Sequence, residues 1–261
     1  MDIATVALLL LGAVGGAIVQ AATGFGFAIV AAPVFLAAMN SHAALQVLVV
    51  IHLVQTAMLL PGVWAMVPMR LFKALVVGAA VGSPIGLLFF MSLDVRALKL
   101  TVGILILLFT GLLIAREMGW LARVFPTGPG AATTDDEMTS APPSPLAYVT
   151  GAISGGMTSL LVMPGPPLML YLAGAPLPHA HARALAIAFF GLCYLFVTAL
   201  NTFWAGMGEG VWLLALAMVP AVYLGTLAGR RIARHVTQGS YRVAVLALLV
   251  LSGVGAILSA L

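Results

Sequence analysis

Residues 151–172, GAISGGMTSLLVMPGPPLMLYL, are apolar enough for a lipid bilayer but contain the helix-breaking run Pro164-Gly165-Pro166-Pro167. A proline inside a helix removes an amide donor and clashes with the preceding turn, at a cost of about 3 kcal/mol. The stretch is therefore predicted to form two short helices that meet at a break; a surface loop between two spans is the alternative. Because non-helical backbone at membrane depth needs protein or a watery cavity around it, the break is a candidate binding site.

The composition indicates a polytopic membrane protein. Of the 261 residues, 63% are hydrophobic and 7% are charged, whereas soluble domains have about 25% charged residues. The apolar runs leave room for about eight to ten spans of about 20 residues and for no soluble catalytic domain. The N-terminal run lacks a basic n-region, so it is interpreted as a first membrane segment. The single cysteine, Cys193, predicts no disulfide framework and no thiolate metal cluster.

Two membrane halves joined by a polar linker account for the whole chain. The first half, residues 1–117, contains a predicted hairpin that breaks around Thr23 to Gly26 and then three spans. The linker, 118–145, is rich in proline and acidic residues. The second half, 146–261, has the same plan. The predicted fold is therefore an all-α polytopic membrane protein of two inverted repeats, each with a broken-helix hairpin plus three transmembrane helices.

Glycines in the two halves correspond after a shift of 140 to 143 residues. The matching pairs are Gly15-Gly16 with Gly155-Gly156, Gly82 with Gly225, and Gly86 with Gly229. Since the matches keep their order, they indicate an internal duplication; chance matches in a glycine-rich chain are the alternative. Five segments in each half would invert the second half relative to the first, as is typical of transporters.

The basic residues predict the orientation in the membrane. If the 61–73 loop is cytoplasmic, nine of the 11 Lys and Arg residues lie inside, and Arg96 and Lys99 lie outside. Such a positive-inside bias predicts that both termini are periplasmic and that the protein is a multi-pass protein of the inner (plasma) membrane.

The candidate substrate-binding residues are glycines and polar side chains near the two breaks and on the spans that follow them. Helix N-termini at a break carry unpaired amides and about half a positive charge, so they bind anions. The predicted set is Gln20, Thr23, Gly24, Gly26, His52, Gln55, Thr158, Ser159, Gly165, Arg183, Tyr194 and Asn201.

Several of these residues have a second interpretation. The hydroxyl of Thr158 or Ser159 can bond back to its own helix. Arg183, on one helical stripe with Tyr194 and Asn201, either binds an anion or anchors the helix at the membrane interface. His52 either titrates with a coupled proton or only bonds to a neighbouring helix.

Four segments carry a resemblance to a known family. They are TGFGF (23–27), VGSPIGLLFFMSLDVRALKLTVG (81–103), GGMTSLLVMPGPPLMLYL (155–172) and PAVYLGTLAGRRIARHVTQGSYRVAV (220–245). Together they resemble the sulfite exporter TauE/SafE family of bacterial membrane permeases, over nearly the whole chain. The resemblance implies transport of sulfite, a sulfonate such as sulfoacetate, or another small organic anion.

The leading hypothesis is a secondary transporter of a small anion that works by alternating access around a central site. The alternatives are an anion channel and a transporter of a non-sulfur carboxylate or a metal ion. The chain has no Walker motif, no His-Glu-x-x-His and no Gly-x-Ser-Gly pattern, so an ATPase and an intramembrane enzyme are not expected. No cofactor, resident metal or nucleic acid is expected. The expected partners are the anion, the bilayer, a coupled proton or sodium ion, and a second copy in a homodimer.

Overall fold

A computed structural model describes residues 2–23, 26–117, 144–175, 177–232, 247, 250–251 and 253–260. The α-helices, in chain order, are α1 (Ile3–Thr23), α2 (Phe27–Met39), α3 (Ala43–Leu59), α4 (Met69–Ser92), α5 (Val95–Glu117), α6 (Pro145–Leu161), α7 (Gly165–Gly174), α8 (His179–Leu200) and α9 (Glu209–Ile232). Residues 253–258 are also helical. Most of the predicted linker and much of the predicted last span, 243–260, lie outside the described residues.

Six of these helices are long and apolar enough to cross a membrane, by length and composition: α1, α3, α4, α5, α8 and α9. The three remaining helices, α2, α6 and α7, are shorter, with 13, 17 and 10 residues. Large apolar side chains such as Val81 and Leu88 are exposed on the outside of the bundle, where hydrocarbon can cover them. The prediction of an all-helical, multi-pass membrane protein is confirmed.

The first hairpin consists of α1 and α2, which lie antiparallel. A Cβ on Gly12 would lie 3.0 Å from Val34 Cγ1, and one on Gly16 would lie 2.9 Å from Phe27 O, so both glycines let the arms approach closely. Gly26 precedes α2 with φ 101°, in the region that favours glycine. The chain thus breaks where the sequence predicts.

The second hairpin consists of α6 and α7, and its break differs in detail from the prediction. The N–H of Val162 donates to Thr158 O at 2.8 Å and that of Met163 to Met157 O at 3.3 Å, which is the pattern of a left-handed helix cap. Val162 has φ 61°, a strained conformation for a β-branched residue.

The two prolines that follow this break start α7 rather than interrupt it. Pro166 and Pro167 lie in the first turn of α7. Proline is tolerated there because the first amides of a helix have no partner within the helix. The interruption therefore lies at 162–164, before most of the proline run.

Each hairpin packs against a glycine-rich helix from the other half. Added Cβ atoms on Gly78, Gly82 and Gly86 of α4 would meet the main chain of Tyr148, Ala152 and Gly156 on α6. The contacts advance together along both helices, so α4 and α6 run parallel. Close main-chain contact between small residues is a common way for membrane helices to associate.

The same arrangement joins α9 to α1. Added Cβ atoms on Gly225 and Gly229 of α9 would meet the main chain of Val14 and Ile18 on α1. The glycines on α4 and α9 are those that the 143-residue shift relates. This reciprocal packing agrees with two related halves, and the inverted repeat itself stays a prediction.

Candidate functional site

The two helix breaks meet at one small cavity inside the bundle. Its lining comes from the end of α1, the start of α2, the 162–164 break, the start of α7 and the middle of α8. The lining residues are Gln20, Gly26, Phe27, Ala28, Ile29, Val162, Met163, Pro164, Gly165, Pro166, Phe190 and Tyr194. The space for the centres of water-sized molecules is about 20 Å³, enough for about one or two waters. In this conformation the cavity therefore suits only a very small solute.

Aromatic rings form one wall of the cavity. Phe27 and Tyr194 line it, and the ring of His52 lies behind them, with centroids 4.3 Å from Phe27 and 4.6 Å from Tyr194. His52 Nδ1 lies 2.8 Å from Leu48 O. A carbonyl oxygen only accepts, so Nδ1 carries the hydrogen of this bond. His52 thus supports the wall and is held in place by its own helix.

The polar groups at the cavity come mainly from the first hairpin. Gln20 is 2% exposed, and its Oε1 has no hydrogen-bond partner among the described residues. Gly26, Phe27, Ala28 and Ile29 form the cap and first turn of α2, where backbone amides have no partner within the helix. Because these amides favour negative charge and hydrogen-bond acceptors, this end of the cavity favours a polar ligand or an ordered water.

The second hairpin contributes fewer hydrogen-bond donors. α7 begins with Gly165, Pro166 and Pro167. Proline has no N–H, so Gly165 is the one residue of these three with a backbone amide to offer. The two breaks are therefore unequal: the α2 end supplies most of the backbone donors, and the α7 end is mostly apolar.

The structure brings some of the predicted site residues together. Gln20, Gly26, Gly165 and Tyr194 line the same cavity, and His52 stacks on its wall. Gly24 and the side chain of Thr23 lie outside the described residues.

Other predicted site residues do not line the cavity. They are Gln55, Thr158, Ser159, Arg183 and Asn201. The hydroxyl of Thr158 donates to Ser154 O of its own helix at 2.6 Å. The amide of Gln55 donates to Thr226 Oγ1 at 3.1 Å, and that of Asn201 donates to Val197 O at 3.0 Å. Ser159 is buried, and its hydroxyl has no partner among the described residues.

Arg183 lies beside the first hairpin without entering the cavity. Its side chain is exposed, and Nη2 donates to Ala21 O in the last turn of α1 at 3.4 Å. A cation near a helix C-terminus is favourable because the carbonyls there carry partial negative charge. In the structure, Arg183 therefore steadies the end of α1 just before the break.

Sequence reasoning missed the apolar part of the lining, including Phe27, Phe190, Val162 and Met163. Two local signals could have found some of it. Phe27 directly follows the glycine of the first break, and Phe190 lies four residues before Tyr194, on the same face of α8. For Val162 and Met163 the sequence carries no comparable signal, because the prolines that follow them mask the position of the break.

Membrane-spanning helices around a small cavity at two helix breaks define the architecture of a multi-pass membrane transporter. The chain belongs to the sulfite exporter TauE/SafE family, whose model matches residues 8–256. Because this is a family of membrane transporters, the chain is a membrane transporter and not an enzyme. No curated protein and no solved structure matches the chain.

Proposed function

We propose that the chain is a secondary transporter of a small anion, most simply sulfite or an organosulfonate such as sulfoacetate, and that it works by alternating access around the cavity. The observation that carries this proposal is the convergence of both helix breaks on one small cavity that the cap and first turn of α2 line. Amides at a helix N-terminus favour negative charge. The apolar remainder of the lining lowers the local polarity, which strengthens each polar contact with a bound ion.

The cavity lies between elements of the two halves, which favours a carrier mechanism. Gln20 and Gly26 come from the first hairpin, and Pro164 and Gly165 come from the second. Any movement of one hairpin relative to the other changes the size and access of the cavity. A fixed anion channel is the competing mechanism.

The orientation and partners complete the proposal. Arg183 bonds to Ala21 O, and an added Cβ on Gly229 would meet Ala21 Cβ at 2.9 Å. Since Arg230 directly follows Gly229, Arg183 and Arg230 lie at the same end of the bundle. This common end supports a cytoplasmic side there and periplasmic termini in an inner membrane. A coupled proton or sodium ion and assembly as a homodimer are also proposed.

Transport should be tested by counterflow of labelled sulfite in proteoliposomes. We expect uptake to be saturable and to be accelerated by unlabelled sulfite or sulfoacetate inside the vesicles. Tyr194→Phe should weaken the apparent affinity by about tenfold, because a hydroxyl in the cavity wall that binds an anion contributes about 1.5 kcal/mol. Tyr223→Phe on the exposed face of α9 is the matched control and should behave as the wild type.

The same assay separates the alternatives. Uptake that rises linearly with concentration and does not respond to anion inside the vesicles would indicate a channel. Specific uptake of a carboxylate or a metal ion, without uptake of any sulfur oxyanion, would overturn the proposed substrate. Equal effects of the two tyrosine variants would remove Tyr194 from the site.

A further inference from the structure

We propose that the anion passes between the cavity and one end of the bundle along the interface of α3 and α8, and that Gln46 closes the outer end of this route. This inference rests on the proposed function and adds the route of transport and the residue that locks it. The part of the interface that extends from Tyr194 to Asn201 is called the seam below.

The seam begins at the wall of the cavity. Tyr194 lines the cavity, and its ring centroid lies 4.6 Å from that of His52 on α3. Farther along the two helices, Gln46 Nε2 lies 3.4 Å from Asn201 Oδ1. The contacts therefore run antiparallel from the cavity to the end of α8. At a rise of about 1.5 Å per residue, the seven residues from Tyr194 to Asn201 give the seam a length of about 10 Å.

The outer end of the seam lies at the surface of the bundle. Asn201 is buried, and the three residues that follow it are exposed: Thr202, Phe203 and Trp204. They belong to a π-helical turn, Asn201–Ala205, that is followed by Gly206 with φ 77°. Turns of this kind are rare and frequently occur at functional sites, and tryptophan is enriched where a membrane meets water. The seam thus connects the cavity to the edge of the membrane.

The inside of the seam carries a buried hydroxyl. Thr198 lies one helical turn beyond Tyr194, on the same face of α8. Its side chain is 6% exposed, and its Oγ1 is covered and has no hydrogen-bond partner among the described residues. A hydroxyl can donate to an anion or to water that enters an open seam. A neutral donor suits a route better than a charged one, because a passing ion must bind weakly enough to leave.

One side chain joins the two helices at the outer end of the seam. The ring of His52 bonds within α3, and Asn201 Nδ2 donates to the preceding turn of its own helix. Among the described residues, the hydrogen bonds between α3 and the end of α8 come from the Gln46 amide, which donates to Asn201 Oδ1 and, at 3.1 Å, to Gly206 O. Separation of the helices there breaks the bonds of this one amide. Because Gln46 lies outside the cavity, it controls access and not the contacts made within the cavity.

The interface of α4 and α6 also contains buried hydroxyls but cannot open as easily. Ser83 and Ser154 lie there without a partner among the described residues. An added Cβ on Gly82 would overlap a main-chain oxygen of α6, so the two main chains are in contact. At the interface of α3 and α8, an added Cβ on Gly191 would instead lie 3.4 Å from the side-chain oxygen of Thr56. Side chains can rotate away, whereas main-chain atoms cannot, so α3 and α8 form the interface that can open.

Thiol accessibility tests the route without any transported substrate. Cys193 is the single cysteine, so Cys193→Ala gives a background without thiols. In this background, Thr198→Cys is treated with a charged, membrane-impermeant methanethiosulfonate in sealed vesicles of either orientation, and mass spectrometry measures the modified fraction. We expect modification from the side on which Glu209→Cys reacts, because Glu209 is exposed near the outer end of the seam.

A second substitution tests the lock. Adding Gln46→Leu should accelerate the modification of Thr198→Cys by about tenfold, because the loss of a hydrogen bond raises the population of the open seam. Thr110→Cys on α5 is the matched control. Thr110 is also a buried threonine, and it bonds to Ile106 O of its own helix, outside the seam. We expect it to stay unmodified with and without Gln46→Leu.

Three results would overturn the inference: no modification of Thr198→Cys from the side of Glu209→Cys, a rate that Gln46→Leu does not change, or equal acceleration at Thr110→Cys. If Gln46→Leu does not fold, Gln46→Asn, whose shorter amide cannot span the same distance, tests the lock in its place. Sulfite counterflow without modification of Thr198→Cys would remove the route and leave the transporter. The expected modification without counterflow of any anion would overturn the proposed function and leave the route.

Discussion

A Gly82→Val variant is expected to lose most of its folded protein. An added Cβ at Gly82 would overlap the main-chain oxygen of Ala152 on α6. Main-chain atoms cannot rotate away as a flexible side chain can, so α4 and α6 would have to separate along their contact. Overpacking without an available void costs about 3 kcal/mol or more when the backbone must move. Thermal unfolding in detergent, monitored by size-exclusion chromatography, measures the loss of folded protein.

The matched control is Gly111→Val on α5. Gly111 is also within a helix, but an added Cβ there meets nothing within 4 Å, so the unfolding temperature should change little. The reciprocal variant Gly229→Val on α9, which would meet Ile18 O of α1, should resemble Gly82→Val. Unfolding of all three variants at the wild-type temperature would contradict the described packing of the hairpins.

Gly26→Val is expected to fold but to bind its anion about a hundredfold more weakly. Gly26 has φ 101°, and a side chain in that conformation costs about 1–3 kcal/mol. Its Cβ would also lie 3.2 Å from Val19 Cγ1. The backbone would relax at the residue that precedes the α2 amides, so the donors would move away from the cavity. Calorimetry with sulfite, the substrate proposed above, measures the change in affinity.

Gly206→Val controls for backbone strain alone. Gly206 also has a positive φ, 77°, and an added Cβ there meets nothing within 4 Å. It lies between α8 and α9, outside the cavity lining. We expect a loss of stability comparable to that of Gly26→Val with affinity retained. Equal losses of affinity in both variants would show that general destabilisation, and not the α2 amides, explains the effect.

The helix breaks were accessible from sequence because their causes are local. Glycine between Thr23 and Phe27 permits a positive φ, and the proline run at 164–167 cannot continue a helix from the preceding turn. The second break was nevertheless predicted at the proline run 164–167 and lies at 162–164, because a proline can also begin a helix. Whether the proline run ends one helix or starts the next depends on the left-handed cap at Val162. This cap cannot be predicted from the sequence, because valine rarely adopts a positive φ.

The residues that line the cavity were harder to predict from sequence. Helical spacing predicts that Tyr194 and Asn201 share one stripe, and both side chains are buried, Tyr194 on α8 and Asn201 directly after it. The spacing does not say which of the two lies at the level of the helix breaks. Tyr194 lines the cavity, whereas Asn201 bonds to Gln46 at the end of the helix. Arg183 extends the same stripe in sequence but bonds to the end of α1 outside the cavity.

Composition and residue chemistry alone predict a multi-pass helical membrane protein with two broken hairpins. They suffice because hydropathy and the conformational preferences of glycine and proline are properties of short local segments. Tertiary structure decided that both breaks share one cavity, that its described lining carries no cationic side chain, and that Gln20 Oε1 has no partner among the described residues. These properties depend on glycine contacts between α4 and α6 and between α9 and α1, residues far apart in the chain. Long-range main-chain packing sets the depth and rotation of each helix, and no local pattern encodes either.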